Sequence, residues 1–279
     1  MLFLITAILF SSTLSILMRV SEKYTSNNIA ILVVNYIVCA VITAFSIGPG
    51  GFAVNVAGLD KTLLCGFMGG AFYLAGFVML QLNITKNGVV LPSTFNKLSL
   101  LVSTGCAIVF FGERPDMIQL TGFAVAIAAI ILINSEKTSS TKANFILGLI
   151  LLMISTGLGD TMSKLYEETC PPQLSNHYLI TTFITAAALC WLVMLYYKQH
   201  IGKKEILLGV IMGVPNFFSS SLVLRALSHM DAMIVFPTFS VGCIFVVAVA
   251  GIFFFGEKLS KRQFLSLGMI MSAIVMLNI

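Results

Sequence analysis

Charged residues are scarce in this sequence. Lys, Arg, Asp and Glu make up 10% of the 279 residues, against roughly 25% in a soluble domain, while 58% of the residues are hydrophobic. A water-soluble fold of this length has too little interior to bury so much apolar surface. The excess must face lipid, so the composition predicts an all-α integral membrane protein.

Motifs for catalysis and for nucleotide binding are also missing. The sequence has no phosphate-binding glycine-rich loop, no HExxH, no nucleophile elbow and no spacing typical of metal ligands. The six cysteines form no CxxC pair and are interpreted as free packing thiols. These absences disfavour an enzyme and an ATP-driven pump, and no cofactor and no metal are expected.

Long apolar runs separated by charged or Gly/Pro breaks divide the chain into ten candidate transmembrane spans. A span needs about 20 apolar residues, so ten spans with short loops use the whole chain. The predicted spans cover residues 2–20, 29–48, 62–83, 88–111, 117–135, 144–165, 174–197, 205–227, 231–255 and 262–279. No Pro-, Ser- or charge-rich linker marks a soluble domain between them.

The two halves of the chain repeat the same landmarks. The run from Phe110 to Glu113 recurs 144 residues later from Phe254 to Glu257, and Pro92 recurs 145 residues later as Pro237. This order predicts two five-span repeats, residues 1–140 and 141–279. Because five is odd, the second repeat enters the membrane from the opposite side, and inverted repeats are a recurrent design of secondary transporters.

The formal net charge of +5 is attributed to membrane topology rather than to a nucleic-acid partner. Eleven Lys and Arg residues fall in the loops after odd-numbered spans, and four fall on the opposite side. Positive loops stay in the cytoplasm. The count predicts a multi-pass protein of the inner or plasma membrane with both termini outside the cytoplasm.

A longer pattern in the second half carries a family resemblance. It runs from Arg225 through Asp231 and Ala232, continues with Pro237, and closes with the segment from Phe253 to Leu259. In this order it resembles the EamA-type repeat of the drug/metabolite transporter superfamily. The first half repeats the pattern more loosely, from Gln81 to Gly88, then Pro92, then Phe110 to Arg114, so the resemblance covers essentially the whole chain.

The resemblance implies an inner-membrane carrier of small organic metabolites, commonly an exporter of amino acids or related compounds. It also implies a central cavity lined chiefly by spans 1, 3, 4, 6, 8 and 9. The Gly-Glu landmark is expected to be structural, with Gly capping a helix end and Glu meeting solvent or a neighbouring amide. This chain departs from the family pattern by carrying Asn96 and Lys97 where apolar residues are expected.

Lys97 is the strongest candidate binding residue. It lies nine residues beyond Gly88, about 13 Å along a helix that rises ~1.5 Å per residue, and therefore near mid-membrane. A Lys at the bilayer centre costs about 2.5–3.5 kcal/mol, so it should face a cavity or a partner. We expect it to bind a substrate carboxylate or phosphate. A titrating amine and a structural or snorkelling lysine are the alternatives.

Asp160 is the carboxylate that lies well inside a predicted span, within Gly157 to Asp160 of span 6. It can bind a substrate ammonium, take up a coupling proton, or neutralise Lys97. With one acid and one base in a cavity, a zwitterionic amino acid would fit both ends. A purely structural ion pair is the competing interpretation.

Asn216 follows Pro215 in span 8, where we expect the proline to break the helix and free carbonyls that line a binding site. Tyr73 in span 3 lies close to the symmetry-related position, and Asn96 precedes Lys97; all three could offer hydrogen bonds to a substrate. Asn35 is predicted to pack on a peripheral span instead.

The sequence therefore predicts a secondary active transporter of small organic metabolites, an amino acid or related zwitterion, most simply as an exporter that works by alternating access. A carrier of carboxylate or phosphorylated anions is one alternative, and a membrane-embedded enzyme or lipid-handling protein is another. The expected partners are a small-molecule substrate and the lipid bilayer. Proton coupling is left open, and a monomer is expected, with a dimer as the alternative.

Overall fold

The computed structural model describes residues 1–21, 23–25, 27–48, 51, 56–87, 90–135, 145–255 and 260–279. Within these residues the chain is helical and contains no strand. The α-helices are α1 Leu2–Ser21, α2 Asn28–Ile47, α3 Leu59–Asn87, α4 Val90–Lys97, α5 Leu100–Phe111, α6 Met117–Ser135, α7 Ile146–Thr169, α8 Ser175–Tyr196, α9 Lys203–Leu227, α10 Ala232–Phe255 and α11 Lys261–Leu277. A 3₁₀ turn, Pro172–Leu174, precedes α8.

The helices match the predicted spans closely. With α4 and α5 counted as one span, the described residues contain ten, and the predicted all-α, ten-helix membrane fold is confirmed. Eight of these spans are long and apolar enough to cross a membrane, and α6 adds a shorter apolar helix. Large apolar side chains such as Phe45 and Phe253 are about four-fifths exposed, which suits contact with lipid.

The helix ends are set by local sequence. Asn27 accepts a hydrogen bond from the Ala30 N–H at 3.2 Å and so caps the start of α2. Ser260 and Gln263 form a reciprocal capping box at the start of α11. Gly112 ends α5 in the left-handed conformation, at φ 70°, which glycine adopts without steric cost.

The chain divides into two compact units that do not follow chain order. The first unit comprises Met1–Leu74 and Met162–Ser228, and the second comprises Ala75–Thr161 and His229–Ile279. Each unit therefore draws helices from both predicted repeats, while α3 and α7 contribute to both units. The repeat boundary at residue 140 lies outside the described residues and stays a prediction.

In the first unit, α2 packs against α8 and α9, and α1 packs against α9. Glycines allow the close approach of α9 to α2. A Cβ added at Gly209 would lie 2.5 Å from Val34 Cβ, and one at Gly213 would lie 2.6 Å from Val38 Cβ. Small residues at helix contacts replace the hydrophobic driving force that lipid cannot supply between helices.

In the second unit, α6 packs against α11, and α10 packs against α5 and α11. The core at these contacts is apolar and tightly buried. It is formed by Leu100, Ala126, Ala129, Ile130, Val241, Leu267, Ile270 and Ala273. This core holds the helices that carry the candidate site.

Candidate functional site

The fourth span is broken in the middle. α4 ends at Lys97 and α5 begins at Leu100. At the break, the Ser99 hydroxyl donates a hydrogen bond to the Asn96 main-chain carbonyl at 2.7 Å, and the Leu101 N–H donates to the Leu98 carbonyl at 2.9 Å. A serine hydroxyl that binds a nearby carbonyl competes with the helical hydrogen-bond ladder. The break is a two-residue turn inside a membrane span, and main-chain hydrogen bonds continue across it.

A partly buried polar contact joins the broken span to α7. The Thr156 hydroxyl of α7 donates a hydrogen bond to Asn96 Oδ1 at 3.0 Å. Gly157 allows the close approach, because a Cβ there would lie 2.6 Å from the Ser99 carbonyl oxygen. Gly76 of α3 also packs on Thr156, since an added Cβ would lie 2.7 Å from its hydroxyl. Three helices of the second unit thus meet at Thr156, and we call this meeting point the Asn96–Thr156 junction.

Lys97 is the last residue of α4, directly beside this junction, and its side chain is half-buried. The C-terminal end of a helix carries partial negative charge, which favours a cation there. Within the described residues of the second unit, Lys97 has no ion-pair partner. The negative end of α4 is therefore the charge complement that the fold itself gives Lys97.

Asp160 lies on α7 four residues after Thr156, which places the two side chains on the same face of the helix one turn apart. It is half-buried and interacts with another protein group. The structure therefore places Asn96, Lys97 and Asp160 in the second unit, on helices that contact each other at the Asn96–Thr156 junction.

Asn216 lies in the first unit, and its surroundings differ from those we expected. The prediction that Pro215 breaks span 8 is wrong, because α9 continues through it from Lys203–Leu227. Close packing of α9 on α2, at Gly209 and Gly213, holds the helix together around the proline. A proline removes one intrahelical hydrogen bond, and tertiary contacts here offset that loss.

Asn35 is the residue that the sequence interpretation undervalued. Asn216 Nδ2 donates a hydrogen bond to Asn35 Oδ1 at 2.6 Å, and the Cys39 thiol donates to the Gly213 carbonyl at 3.2 Å beside them. Asn35 is fully buried, and its Nδ2 has no hydrogen-bond partner among the described residues. An Asn in a span predicted as peripheral thus belongs to a polar pair with a predicted site residue.

Tyr73 also belongs to the first unit, near the middle of α3. Its side chain is half-buried and interacts with another protein group. Of the five predicted site residues, Tyr73 and Asn216 therefore lie in the first unit, and the other three lie in the second.

The Gly-Glu landmark of the first half has the structural role that we expected. Glu113 follows the left-handed Gly112 and accepts two hydrogen bonds, each 2.8 Å, from the Ala232 and Met233 N–H groups at the start of α10. A carboxylate at this position satisfies main-chain donors and the positive end of the helix. Its counterpart at residues 256–257 lies outside the described residues.

Metal-ligating side chains do not gather in the part of the chain that the structure describes. No group of three or more His, Cys, Asp or Glu residues there is placed to hold a metal ion. All six cysteines are free thiols, five of them buried. The polar groups at the junction are amides, hydroxyls, one ammonium and one carboxylate, all of which can form hydrogen bonds with a small polar molecule.

Comparison with known proteins agrees with this architecture. The family described as the EamA-like transporter family matches residues 144–279, which is the second predicted repeat. This match covers the second half of the chain, and it supports the drug/metabolite transporter superfamily that the resemblance indicated.

Two other proteins are similar to this chain over nearly its whole length. An uncharacterized protein of Haemophilus influenzae (strain ATCC 51907 / DSM 11121 / KW20 / Rd) is 24% identical over 284 residues, covering 97% of this chain and 95% of its own. A crystal structure of another protein superposes with a TM-score of 0.79 at 13% identity, covering 99% of this chain and 96% of that one. At that identity the second likeness concerns the fold alone.

The family match to the second half and the apolar helices together support the general activity. The protein is a multi-pass membrane transporter of small molecules, and its partners are a small-molecule substrate and membrane lipid. Members of the family are transporters rather than enzymes.

Proposed function

We propose that this protein is a secondary active carrier that exports small zwitterionic metabolites, such as amino acids, by alternating access. The observation that carries the proposal is the Asn96–Thr156 junction. There, a broken span with a half-buried lysine contacts a helix with a half-buried aspartate. Broken helices and intramembrane charges are the features by which transporters form their binding sites.

In this proposal the two charges bind the two ends of the cargo. Lys97 binds the carboxylate through a charge-assisted hydrogen bond, and Asp160 binds the ammonium group. Asn96 Nδ2 supplies a neutral hydrogen bond, which fixes the orientation of the cargo. A compound that lacks the anionic end would leave Lys97 without this proposed partner.

The first unit carries polar groups of its own that we propose as hydrogen-bonding groups for the cargo. The orphaned Asn35 Nδ2 is a donor suited to a substrate oxygen or a bridging water, and Asn216 holds the Asn35 side chain in place. Tyr73 can contribute a hydroxyl. The break between α4 and α5 supplies a place at which the span can bend during alternating access.

The remaining features of the proposal follow from topology and chemistry. The excess of Lys and Arg in the loops after odd-numbered spans supports a cytoplasmic membrane location with both termini outside the cytoplasm. Asp160 is the group that would take up a proton if transport is coupled to a proton gradient. A monomer contains the complete proposed set of binding residues.

An anion carrier is the second candidate, and one observation favours it. Asp160 already interacts with a protein group, whereas Lys97 has no ion-pair partner among the described residues of its unit. An anionic metabolite would then bind Lys97 alone, and Asp160 would only support the fold.

Counterflow in proteoliposomes separates the two candidates. We expect Lys97→Ala to abolish transport in both cases, whereas Asp160→Asn abolishes it only for a zwitterion and leaves anion transport intact. Lys61→Ala and Asp60→Asn, which remove the same charges from exposed positions of α3, serve as matched controls and should transport normally. Normal transport by both Lys97→Ala and Asp160→Asn would contradict the site assignment.

The same preparation tests an enzymatic or lipid-handling role. Turnover of a candidate substrate in detergent, with no translocation in proteoliposomes, would overturn the transport proposal. We expect translocation without chemical change of the cargo.

A further inference from the structure

A polar cavity lies in the first unit, at one end of α7, α8 and α9. It has a volume of about 160 Å³, equivalent to roughly five water molecules at ~30 Å³ each. This volume suits a ligand of a few heavy atoms rather than a drug-sized molecule. None of the five predicted site residues lines it.

The cavity carries one positive and one negative side chain. Arg225, from the last turn of α9, and Glu167, from the last turn of α7, both line it. Each also keeps an interaction with another protein group. The hydroxyls of Ser175 and Ser221 and the amide of Asn176 add neutral hydrogen-bonding groups to the wall.

The surrounding charges are balanced. Lys164, which is buried, lies 2.6 Å from Glu168 and 3.9 Å from Glu167 between ammonium nitrogen and carboxylate oxygen. Two cations and two anions therefore surround this end of α7. A ligand with a net charge would upset that balance, whereas a ligand with one charge of each sign would keep it.

The helix ends distribute partial charge unevenly around the cavity. Ser175 and Asn176 lie in the first turn of α8, and the Ser175 N–H donates to the Pro172 carbonyl of the preceding 3₁₀ turn. The positive end of the helix dipole borders the cavity there. The C-terminal ends of α7 and α9 border it from the other sides and are the negative ends. A carboxylate or phosphate near α8 and Arg225, with an ammonium group near Glu167, would satisfy all three helix ends.

We infer that this α7–α8–α9 cavity is a second binding site, separate from the transport site, for a small zwitterion. The zwitterion carries an anionic group and an ammonium group a few atoms apart. Its source is either a free amino acid or the headgroup of a phosphatidylethanolamine lipid, since both have this chemistry. Because the cavity lies at the ends of the spans, it receives its ligand from the membrane surface.

The inference does not depend on the proposed transport cargo, and Cys170 makes it testable on its own. Cys170 lines the cavity and is 8% exposed, so an occupied cavity should shield it from a small thiol reagent. The experiment follows the alkylation rate of Cys170 by mass spectrometry in the full-length protein, reconstituted in phosphatidylglycerol nanodiscs. Glycine and alanine are the zwitterionic probes, and propionate and ethylammonium are the singly charged ones.

We expect glycine or alanine, or phosphatidylethanolamine added to the nanodiscs, to slow the alkylation of Cys170, while the singly charged probes do not. Protection by the free amino acids identifies a free ligand, and protection by the lipid alone identifies a headgroup. Arg225→Gln and Glu167→Gln should each weaken protection at least about tenfold in probe concentration. Lys203→Gln, which removes a charge from the opposite end of α9, should leave it unchanged.

Calorimetric titration in the Lys97→Ala background provides a second readout that does not require a reactive Cys170. Binding of a zwitterion should persist there and disappear when Ser221→Leu fills the cavity. Equal effects of zwitterionic and singly charged probes, or zwitterion binding that survives both Arg225→Gln and Ser221→Leu in that background, would overturn the inference. Neither result would bear on transport by the wild-type protein.

Discussion

The fourth and ninth spans hold corresponding places in the two predicted repeats, yet the fourth is broken and the ninth is continuous. Both carry a proline near the start, Pro92 and Pro237. α10 nevertheless runs unbroken over Ala232–Phe255, whereas the fourth span divides after Lys97. Proline therefore does not account for the break, and the difference must lie in the residues that follow.

Those residues differ in polarity. At the 144-residue offset of the Phe-Phe-Gly-Glu landmark, Asn96 and Lys97 correspond to Ser240 and Val241. Val241 is fully buried in the apolar core of the second unit, whereas Lys97 is half-buried beside the junction with α7. In the second repeat this position is part of an apolar core, whereas in the first repeat it carries a charge. This asymmetry supports our proposal that the fourth span binds the cargo.

Placing the lysine of the fourth span at the corresponding position of the ninth span should have the largest effect on stability. Val241→Lys places a charge in a buried apolar core without a partner, so we expect a loss of about 4 kcal/mol or more and little folded protein. The measurement is the folded fraction by size-exclusion chromatography of heated, detergent-purified samples. Val241→Ala, which shortens the side chain without adding charge, should lose much less. A Val241→Lys protein with wild-type thermal stability would contradict the comparison.

The reverse exchange should remove function rather than stability. Asn96→Ser with Lys97→Val gives the fourth span the residues of the ninth. It removes a charge-assisted contact worth about 1.5–3 kcal/mol, which corresponds to a roughly 10- to 100-fold loss of transport. Counterflow in proteoliposomes measures the loss, and thermal stability should stay at or above that of the wild type. Unchanged transport would show that the polarity of this span is incidental.

The contact between the broken span and α7 can be opened at Gly157. Gly157→Val adds a side chain whose Cβ would lie 2.5 Å from Val102 Cβ, so the helices must separate. We expect a destabilisation of about 1–3 kcal/mol, as in an overpacked core, together with reduced transport. Gly105→Ala is the matched control, because nothing lies within 4 Å of its added Cβ. That control should be neutral or slightly stabilising in the same thermal assay.

The smallest effect is expected at the start of the continuous span. Glu113→Gln keeps one acceptor oxygen but removes the charge that faces the first turn of α10, at a cost of about 0.5–2 kcal/mol. Thermal unfolding measures the loss, and transport per folded molecule should be preserved. A large fall in transport with normal stability would mean that Glu113 does more than cap the helix.

The sequence was sufficient for the ten spans, because long apolar runs in a membrane protein have almost no alternative to helices. It also indicated the role of the Gly112–Glu113 landmark, since glycine followed by a polar residue at the end of an apolar run is typical of a helix end. The residue partnered by Glu113 could not be predicted, because Ala232 lies 119 positions away along the chain.

The break in the fourth span could not be predicted, although Asn96 and Lys97 were recognised as unusual. Hydrophobicity indicates the length of a span but not its local helix geometry. The Ser99 hydroxyl competes for a main-chain carbonyl, and the sequence alone does not distinguish it from serines that leave a helix uninterrupted. The same limit explains the error at Pro215. Whether a proline breaks a helix depends on the packing around it, here the contact of Gly213 with Val38.

The central claim is that cargo contacts the fourth span at Lys97. The most direct test is the dissociation constant of the transported compound, measured by calorimetry for the wild type, Lys97→Ala and the matched Lys61→Ala control. We predict that Lys97→Ala raises the dissociation constant at least about tenfold, while Lys61→Ala leaves it unchanged. An unchanged dissociation constant for a folded Lys97→Ala protein would contradict the account.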